Sequence, residues 1–325
     1  YYLLYNLKMN IKKRTPQDNF LLSLIVPVFN EEQSLEYFIK TTSDVLNKEK
    51  INFQMVFIND GSKDETEKKL REFAEFDEKI KFVNLSRNFG KDVALTAGID
   101  LADGDAVIPI DVDLQHPPEI IPDMISLWLE GYEVVNAKRS DEDSETFLKK
   151  IFSKIFYSLF NSLSTMPLPS KIGDFRLIDK EVIIELRKLR ETHRFMKGLF
   201  AWVGFNQISI DYDRPDRIHG NTKWRFKSLF NFAINGITSF SVSILRISMI
   251  VGFTISILGF IYALITIYQT IIYGIDVPGY ASIIILVLIL GGVQLISIGI
   301  QGEYVGKIFE EVKKRPLYII KDKNF

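Results

Sequence analysis

The chain of 325 residues contains no cysteine and only three histidines. Without cysteine it has no disulfide framework, no thiol nucleophile and no cysteine-based zinc site. His193 and His219 lie far apart in the sequence and have too few neighbouring ligands to predict a zinc site. We therefore expect neither histidine to act in catalysis.

The charges of the chain nearly cancel, since 40 Lys and Arg residues face 41 Asp and Glu residues, for a net charge of -1. This balance gives no overall attraction to a polyanion, so no nucleic-acid partner is expected. A G-x-G-x-x-G motif is missing after the first predicted strand, which disfavours a dinucleotide-dependent oxidoreductase. Residues 1–20 lack the small-residue cleavage site of a signal peptide, and we interpret them as an N-terminal lead-in.

Short apolar runs alternate with amphipathic stretches from Leu21 to about Arg139. This pattern is typical of strands joined by crossover helices, and it predicts an α/β domain with a mostly parallel sheet. Between the second and third runs, Ser62 and Glu65 have the spacing of a capping box, which predicts a helix start. The predicted strands are LLSLIVPVF, FQMVFIN, IKFVNLS, DAVIPID and EVVNAKR.

Acidic residues follow two of these predicted strands. Asp60 comes directly after the second, and Asp111 and Asp113 follow the apolar run of the fourth. Open α/β sheets bind their ligands at the carboxyl ends of strands, so both acidic loops should converge on one edge. Two carboxylates separated by one residue suit a hard divalent cation held against a diphosphate, and Mg²⁺ or Mn²⁺ prefers such oxygen ligands. A solvated turn is the alternative for the Asp-x-Asp pair, but the strand before it favours a site.

Two long apolar stretches near the C-terminus predict a transmembrane hairpin, at about 247–273 and 281–300 within residues 244–303. Lys and Arg flank the outer ends of the pair, whereas the short connector GIDVPGY carries neither residue. The positive-inside rule therefore predicts an integral membrane protein of the bacterial inner or plasma membrane. Its catalytic domain, both termini and a tail at 304–325 would be cytoplasmic.

Two amphipathic stretches combine large aromatic residues with lysines, at about 147–163 and 224–243. Packing in a protein core is the commoner use of such a segment. We favour helices lying in the membrane interface, because the second stretch runs directly into the first apolar span.

Five motifs in a fixed order carry the clearest indication of function: IVPVFNEE at 25–32, NDGSKDET at 59–66, SRNFGKDVALTAG at 86–98, IDVDLQHPPE at 110–119 and GDFRL at 173–177. The set resembles the inverting glycosyltransferases of family 2 that have the GT-A fold, a Rossmann-like α/β fold, and use polyisoprenyl phosphate acceptors. The resemblance is to the dolichol-phosphate mannose synthase and bactoprenol glucosyltransferase group. It covers about Leu22 to Trp224, within a catalytic domain at 21–223, and the predicted hairpin extends it to the two-span branch.

The resemblance implies a reaction and assigns roles to residues. The expected reaction is transfer of a hexose, glucose from UDP-glucose, onto a polyisoprenyl phosphate at the cytoplasmic membrane face. Asp174 matches the position of the catalytic base, Asp113 acts beside it, and the metal ligands are Asp111, Asp113 and Gln115. Contacts to the nucleotide-sugar are implied for Pro27, Val28, Glu31, Asp60, Lys91 and Asp111, and contacts to the lipid phosphate are expected for Arg139, Arg217 and Lys223.

Several alternatives stay open at this point. Asp60 and Asp174 could each serve only to stabilise a turn, and Lys91 could be solvated surface. GDP-mannose or a modified pentose could replace UDP-glucose, and a catalytically silent, membrane-tethered scaffold that binds nucleotide-sugar is a further candidate. A processive polysaccharide synthase is disfavoured, because the Gln-x-x-Arg-Trp pattern is missing and two spans make a poor polymer channel. The oligomeric state, a homo-oligomer included, is also open.

Overall fold

The structure, a computed structural model, describes residues 13–15, 19–140, 158, 161–162, 172–213, 238, 241–274 and 279–325. At residues 280, 281, 284, 285 and 288 it describes the backbone alone. The amphipathic stretches predicted at 147–163 and 224–243 lie almost entirely outside the described residues. Arg217, Lys223 and nearly all of the lead-in at 1–20 lie outside them as well.

The described residues form one eight-stranded sheet with the strand order β7-β5-β6-β4-β1-β2-β3-β8. All five predicted strands are present, and they follow one another in the order that the sequence predicted. The pairs β1 with β2, β1 with β4, β2 with β3 and β5 with β7 are parallel. The strands are β1 Leu22–Val28, β2 Phe53–Asn59, β3 Ile80–Leu85, β4 Ala106–Pro109, β5 Val134–Arg139, β6 Ile172–Asp179, β7 Gln207–Tyr212 and β8 Ile320–Lys323.

Two strands make the sheet mixed. Strand β6 lies antiparallel between β4 and β5, and β8 adds antiparallel to β3 at the other side of the sheet. The insertion of β6 reverses the chain direction beside β4. Residues at the start of β6 therefore lie next to the residues that follow β4.

Helices connect the strands of the parallel part, as the amphipathic stretches predicted. The helix after β2 begins at Thr66, so the helix start predicted from Ser62 and Glu65 was wrong. The Ser62 hydroxyl instead accepts a hydrogen bond from the Asn30 amide at 2.9 Å, and the chain turns once more before the helix begins. The helices are α1 Leu35–Lys48, α2 Thr66–Phe76, α3 Lys91–Leu101, α4 Ile121–Leu129, α5 Lys180–Lys188, α6 Met196–Trp202, α7 Ser243–Tyr273 and α8 Tyr280–Val312.

The core lies on both faces of the sheet. Leu24 and Val26 of β1 face one side, where α1 packs, while Ile25 faces the other, where α3 packs. Helix α3 approaches β1 closely at Gly98, and a Cβ at that position would collide with the Ile25 side chain. This close approach fixes α3 against the sheet, and with it the residues at its amino end.

Helix α7 has a length and an apolar composition that would let it cross a membrane, and none of its residues is buried by the rest of the described chain. It packs beside α8, where the Ser248 and Ser297 hydroxyls are 2.9 Å apart. Helix α8 continues to Val312, beyond the end of the apolar stretch predicted at about residue 300.

The C-terminal residues after α8 return to the α/β sheet. Strand β8 pairs with β3, and the Tyr318 hydroxyl donates a hydrogen bond to Asp100 Oδ2 at 2.9 Å. Lys321 also forms an ion pair with Glu67 at 3.2 Å. Strands β1 to β7 and the C-terminal strand β8 therefore share one sheet.

Candidate active site

The candidate site lies where the chain leaves β4 and enters β6. The antiparallel register pairs Val107 of β4 with Ile178 of β6, and this register runs toward the carboxyl end of β4. Asp111 follows β4, and Asp174 is the third residue of β6. The fold thus brings two carboxylates 63 positions apart in the sequence to the same edge of the sheet.

Lys91 joins these two carboxylates. Its ammonium group lies 2.7 Å from Asp111 Oδ1 and 3.3 Å from Asp174 Oδ2. Lys91 is the first residue of α3, and the preceding Gly90 has a φ of 99°, which a residue with a side chain rarely adopts. The structure thus brings Lys91 together with Asp111 and Asp174 at the amino end of a helix, and its contact with a nucleotide-sugar stays a prediction.

The charged side chains of this cluster shift one another's pKa values. Burial lowers the pKa of the Lys91 ammonium, but Asp111 and Asp174 outweigh burial and raise the pKa above its ordinary value. Burial and the neighbouring Asp174 raise the pKa of the adjacent Asp92 to about 6. Burial lowers the pKa of Lys197, against the opposing effect of Asp174. Lys91 therefore stays charged at neutral pH, whereas Asp92 is the weakly acidic member of the cluster.

Asp92 and Lys197 were not identified from the sequence. Lys197 is the second residue of α6, directly after Met196. Thr96 of α3 contacts Met196, with Oγ1 and Sδ 3.7 Å apart, so α6 packs against the helix that carries Asp92. Asp92 follows Lys91 directly, so its proximity to the motif was a usable signal. Nothing in the sequence around Lys197 marks it, because only the packing of α6 against the sheet brings it near Asp174.

An aromatic stack forms one wall of the site. The His116 imidazole lies parallel to the Phe175 ring at a centroid distance of 4.7 Å, and Tyr212 meets both rings edge-on. The Asp111 amide donates to His116 Nδ1 at 3.3 Å. Burial lowers the pKa of His116, and the neighbouring Asp111 opposes this effect. His116 thus supports the Asp111 loop as a largely buried aromatic side chain.

Asp60 holds the loop that leads into α3. Its two carboxylate oxygens accept hydrogen bonds from the Phe89 amide at 2.7 Å and the Gly90 amide at 2.9 Å. Burial raises the pKa of Asp60, while these two hydrogen bonds lower it. Gly61 has a φ of 68°, and a Cβ there would collide with the backbone of Arg87. Asp60 therefore positions the loop that carries Lys91, and its contact with nucleotide stays a prediction.

The residues predicted to hold a metal ion lie together after β4. Asp111 and Asp113 supply carboxylate oxygens, and Gln115 carries a side-chain amide oxygen. The backbone N–H of Gln115 donates to Asp113 Oδ1 at 3.2 Å within the same turn. Among the described residues, no three His, Cys, Asp or Glu side chains are arranged to enclose a metal ion. A donor set of two carboxylates and an amide fits Mg²⁺ or Mn²⁺ only when substrate phosphates complete the shell, which is how Mg²⁺ is commonly bound.

The other predicted site residues lie at neighbouring strand ends. Pro27 and Val28 close β1, and Glu31 follows them, accepting a hydrogen bond from the Ser34 hydroxyl at 3.0 Å. Arg139 is the last residue of β5, beside the start of β6. These positions bring Arg139 and Asp174 to the same edge of the sheet.

Arg176 is a buried cation two residues beyond Asp174. Its guanidinium donates to the Gly173 carbonyl at 2.6 Å and lies over the Phe200 ring, 4.1 Å from the centroid. Burial lowers the pKa of Arg176 to about 10, and Asp174 opposes this effect. Arg176 thus holds the first residues of β6, which include Asp174.

A sheet of this topology, with an Asp-x-Asp pair after β4 and a third carboxylate from an inserted antiparallel strand, defines the GT-A class of nucleotide-sugar transferases. Residues 23–187 match glycosyl transferase family 2. The chain belongs to this family and is a glycosyltransferase.

The similar proteins span nearly the whole chain. An uncharacterised glycosyltransferase from Synechocystis sp. is 48% identical over 301 residues, which cover 93% of this chain and 95% of the relative. The bactoprenol glucosyl transferase of Shigella phage SfII is 45% identical over 300 residues, covering 92% and 97% of the two chains. Among solved structures, mannosyl-3-phosphoglycerate synthase from Rubrobacter xylanophilus is 16% identical, with a TM-score of 0.46 over 66% of this chain and 71% of that one.

Proposed function

We propose that this glycosyltransferase moves glucose from UDP-glucose onto a polyisoprenyl phosphate, with inversion at the anomeric carbon, at the cytoplasmic face of a membrane. The observation that carries the proposal is the 45% identity, over 97% of its length, with the phage SfII bactoprenol glucosyl transferase. The cluster of Lys91, Asp111 and Asp174 supplies a site suited to this chemistry.

The donor would bind across the carboxyl ends of β1, β2 and β4. Pro27, Val28 and Glu31 would line one side of the nucleotide, Asp60 would reach the base or ribose, and Asp111 would reach the ribose. Lys91 would contact the diphosphate, because its ammonium is held at the amino end of α3, where an anion is also favoured by the helix.

Asp111, Asp113 and Gln115 would hold a divalent cation, Mg²⁺ or Mn²⁺, together with the donor diphosphate. The bound cation would neutralise the charge that develops on the leaving diphosphate. Lys91 adds a second fixed positive charge at the same place, and a preorganised charge of this kind stabilises a developing anion without reorganisation.

The acceptor phosphate supplies the attacking oxygen. One of its oxygens forms a bond to the anomeric carbon while the bond from that carbon to the diphosphate oxygen breaks, and UDP leaves. The second pKa of an alkyl phosphate is about 6, so the acceptor is largely a dianion at neutral pH. The harder task is to place two anionic groups side by side, which requires countercharge and orientation. Asp174 would orient the acceptor or take its remaining proton.

The membrane would be spanned by α7 and by the apolar part of α8, with the catalytic domain and both termini on the cytoplasmic side. The amphipathic stretches at 147–163 and 224–243 would lie in the interface. Arg139, Arg217 and Lys223 would then face the lipid phosphate, because countercharge is needed where the headgroup enters the site.

The purified full-length chain in lipid vesicles tests the proposal. Vesicles containing polyisoprenyl phosphate should acquire label from UDP-[¹⁴C]glucose in the presence of Mn²⁺, and vesicles without the acceptor should not. Transfer of label from GDP-[¹⁴C]mannose and not from UDP-glucose would show that the donor is GDP-mannose. Donor binding without transfer or hydrolysis under all conditions would favour the catalytically silent scaffold instead.

A further inference from the structure

A ladder of three polar side chains crosses the sheet at the carboxyl ends of β2 and β3. Asn59 of β2 is in register with Asn84 of β3, and Asn84 is in register with Asp322 of β8. The side-chain amide of Asn59 donates to Asn84 Oδ1 at 2.8 Å, and the side-chain amide of Asn84 donates to Asp322 Oδ1 at 3.0 Å. We refer to Asn59, Asn84 and Asp322 as the polar ladder.

The polar ladder lies where apolar side chains would ordinarily stand. Asn59 and Asn84 are each 1% exposed. A buried amide that lacks hydrogen-bond partners destabilises the fold by more than a typical hydrogen bond stabilises it. Buried amides such as these therefore need a hydrogen-bond partner within the protein. Asp322, on the last strand of the chain, supplies the acceptor that completes the pair.

The inner end of the polar ladder reaches the loop of the proposed donor site. Asn59 Oδ1 accepts a hydrogen bond from the backbone N–H of Ser62 at 3.0 Å, and Ser62 Oγ accepts one from the backbone N–H of Asn30 at 2.9 Å. Asn30 Oδ1 in turn accepts from the Lys63 amide at 2.8 Å. The side chain of Asn59 thus holds the turn that contains Asp60 by a hydrogen bond. The orientation of the Asn59 side chain depends in turn on its hydrogen bond to Asn84.

The outer end of the polar ladder is held by a contact with α2 and by the backbone that leads into β8. Asp322 forms an ion pair with Arg71 of α2, and burial is outweighed by Asn84 and Arg71 so that the pKa of Asp322 is lowered. The Ser86 amide donates to the Ile319 carbonyl at 2.9 Å, which holds the approach to β8. Only residues 313–319 separate β8 from the end of α8.

We propose that Asp322 is a positioning residue for the donor site, acting through Asn84 and Asn59 on the turn at residues 59–62. Strand β8 therefore pairs with β3 and also sets the orientation of the two buried side-chain amides that hold this turn. The inference rests on the proposed function for its effect on donor binding, but not for its effect on the turn itself.

Three variants of the full-length chain separate this role from simple docking of the tail. Asp322→Ala removes the acceptor for Asn84. Asp322→Asn keeps an oxygen for Asn84 and removes only the charge that pairs with Arg71, so we expect it to behave nearly like wild type. Lys321→Ala is the matched control, because it removes an exposed ion pair with Glu67 from the same strand and leaves both hydrogen bonds of the ladder in place. Exposed ion pairs of this kind contribute little to stability.

The first measurement is steady-state transfer with varied UDP-glucose. Asp322→Ala should raise KM for the donor about five-fold, the effect of losing one net hydrogen bond, while kcat changes less than about two-fold. Asp322→Asn and Lys321→Ala should stay near wild type. An unchanged donor KM in Asp322→Ala, or an equal rise in Lys321→Ala, would overturn the proposal.

The second measurement is hydrogen exchange without any ligand. Asp322→Ala should exchange faster than Lys321→Ala at residues 59–66, with protection of 318–325 retained. Loss of protection confined to 318–325 would show that Asp322 only docks the tail, and would overturn the proposal. If wild-type protein fails to use UDP-glucose but the exchange at 59–66 responds as expected, the proposed donor is wrong and the positioning role holds.

Discussion

The Lys91 ammonium lies 3.3 Å from Asp174 Oδ2, although the first residue belongs to the amino end of α3 and the second to the inserted strand β6. Asp174 thereby has a fixed countercharge within the protein before any substrate binds. A carboxylate placed beside an anionic acceptor would otherwise repel it. This contact accounts for how Asp174 can stand at the proposed site without excluding phosphate.

The first prediction concerns Lys91. Lys91→Gln should lower kcat about 100-fold, because it removes a preorganised charge from the leaving diphosphate and leaves Asp111 and Asp174 without their shared cation. Lys91→Arg should retain part of the activity. Steady-state transfer assays give the result, with exposed Lys48→Gln as the control. Full activity in Lys91→Gln would assign Lys91 to solvated surface.

The second prediction concerns the metal ion. Asp113→Asn should abolish transfer while the melting temperature stays near that of wild type, because a neutral amide is a much poorer ligand for a hard cation than a carboxylate. EDTA should have the same effect on the wild-type chain, and added Mn²⁺ should reverse it. The exposed Asp123→Asn is the matched control. Undiminished transfer in EDTA-treated enzyme or in Asp113→Asn would reject metal dependence.

The third prediction follows from the raised pKa of Asp92, about 6 against 3.8 for an exposed aspartate. Between these two pH values the folded chain binds more protons at Asp92 than the unfolded chain does, so this group makes stability fall as pH rises through the window. The charged groups that act on it are Asp174, Lys91, Lys197 and Arg194.

Asp92→Asn should therefore raise the melting temperature at pH 7 relative to wild type, and the difference should shrink toward pH 4. Differential scanning fluorimetry in detergent between pH 4 and pH 8 measures it. Asp123→Asn, on the exposed face of α4, should give a difference that does not vary with pH. A flat difference for Asp92→Asn as well would mean that its pKa is not raised in the folded chain.

The sequence predicted the parallel half of the fold because each of its strands is a short apolar run bounded by turn residues. The run AVIPI followed by Asp111 is an example, and its carboxyl end lies where expected. The capping-box spacing of Ser62 and Glu65 misled, because the Ser62 hydroxyl is engaged by the Asn30 amide across the site. Local spacing cannot reveal a competing partner 32 positions away.

Strand β8 could not be predicted for a related reason. Its sequence, IKDK, has little apolar character, and it pairs with β3 through contacts such as Asn84 with Asp322, 238 positions apart. Lys197 was missed because its place near Asp174 depends on how α6 packs and not on any motif. The site residues that the sequence did identify, such as Asp111 and Asp174, are those carried by motifs at strand ends.

The fourth prediction concerns membrane topology. Because the chain has no cysteine, a single introduced cysteine can be labelled without background. Asn324→Cys should react with a membrane-impermeant maleimide only from the cytoplasmic side, since β8 shares a sheet with the catalytic domain, and Asp276→Cys should react only from the other side. Labelling of Asp276→Cys from the cytoplasmic side alone would overturn the predicted topology.

The fifth prediction concerns the role of Asp174, for which two mechanisms differ in their pH dependence. If Asp174 is a general base, Asp174→Asn should lower the rate at every pH. If the acceptor dianion needs no base, the variant should lose rate mainly below the second pKa of the phosphate, about 6, and recover above about pH 7.

We expect a loss at every pH, because Asp174 has Lys91 as its partner and Arg176 holds the first residues of the strand that carries it. The measurement is a pH-rate profile of transfer for wild type and Asp174→Asn, with the affinity for UDP-glucose determined separately by calorimetry. A lower affinity with an unchanged rate at saturation would assign Asp174 to the donor site through Lys91. Wild-type rates across the whole profile would leave Asp174 with a turn-stabilising role and no part in catalysis.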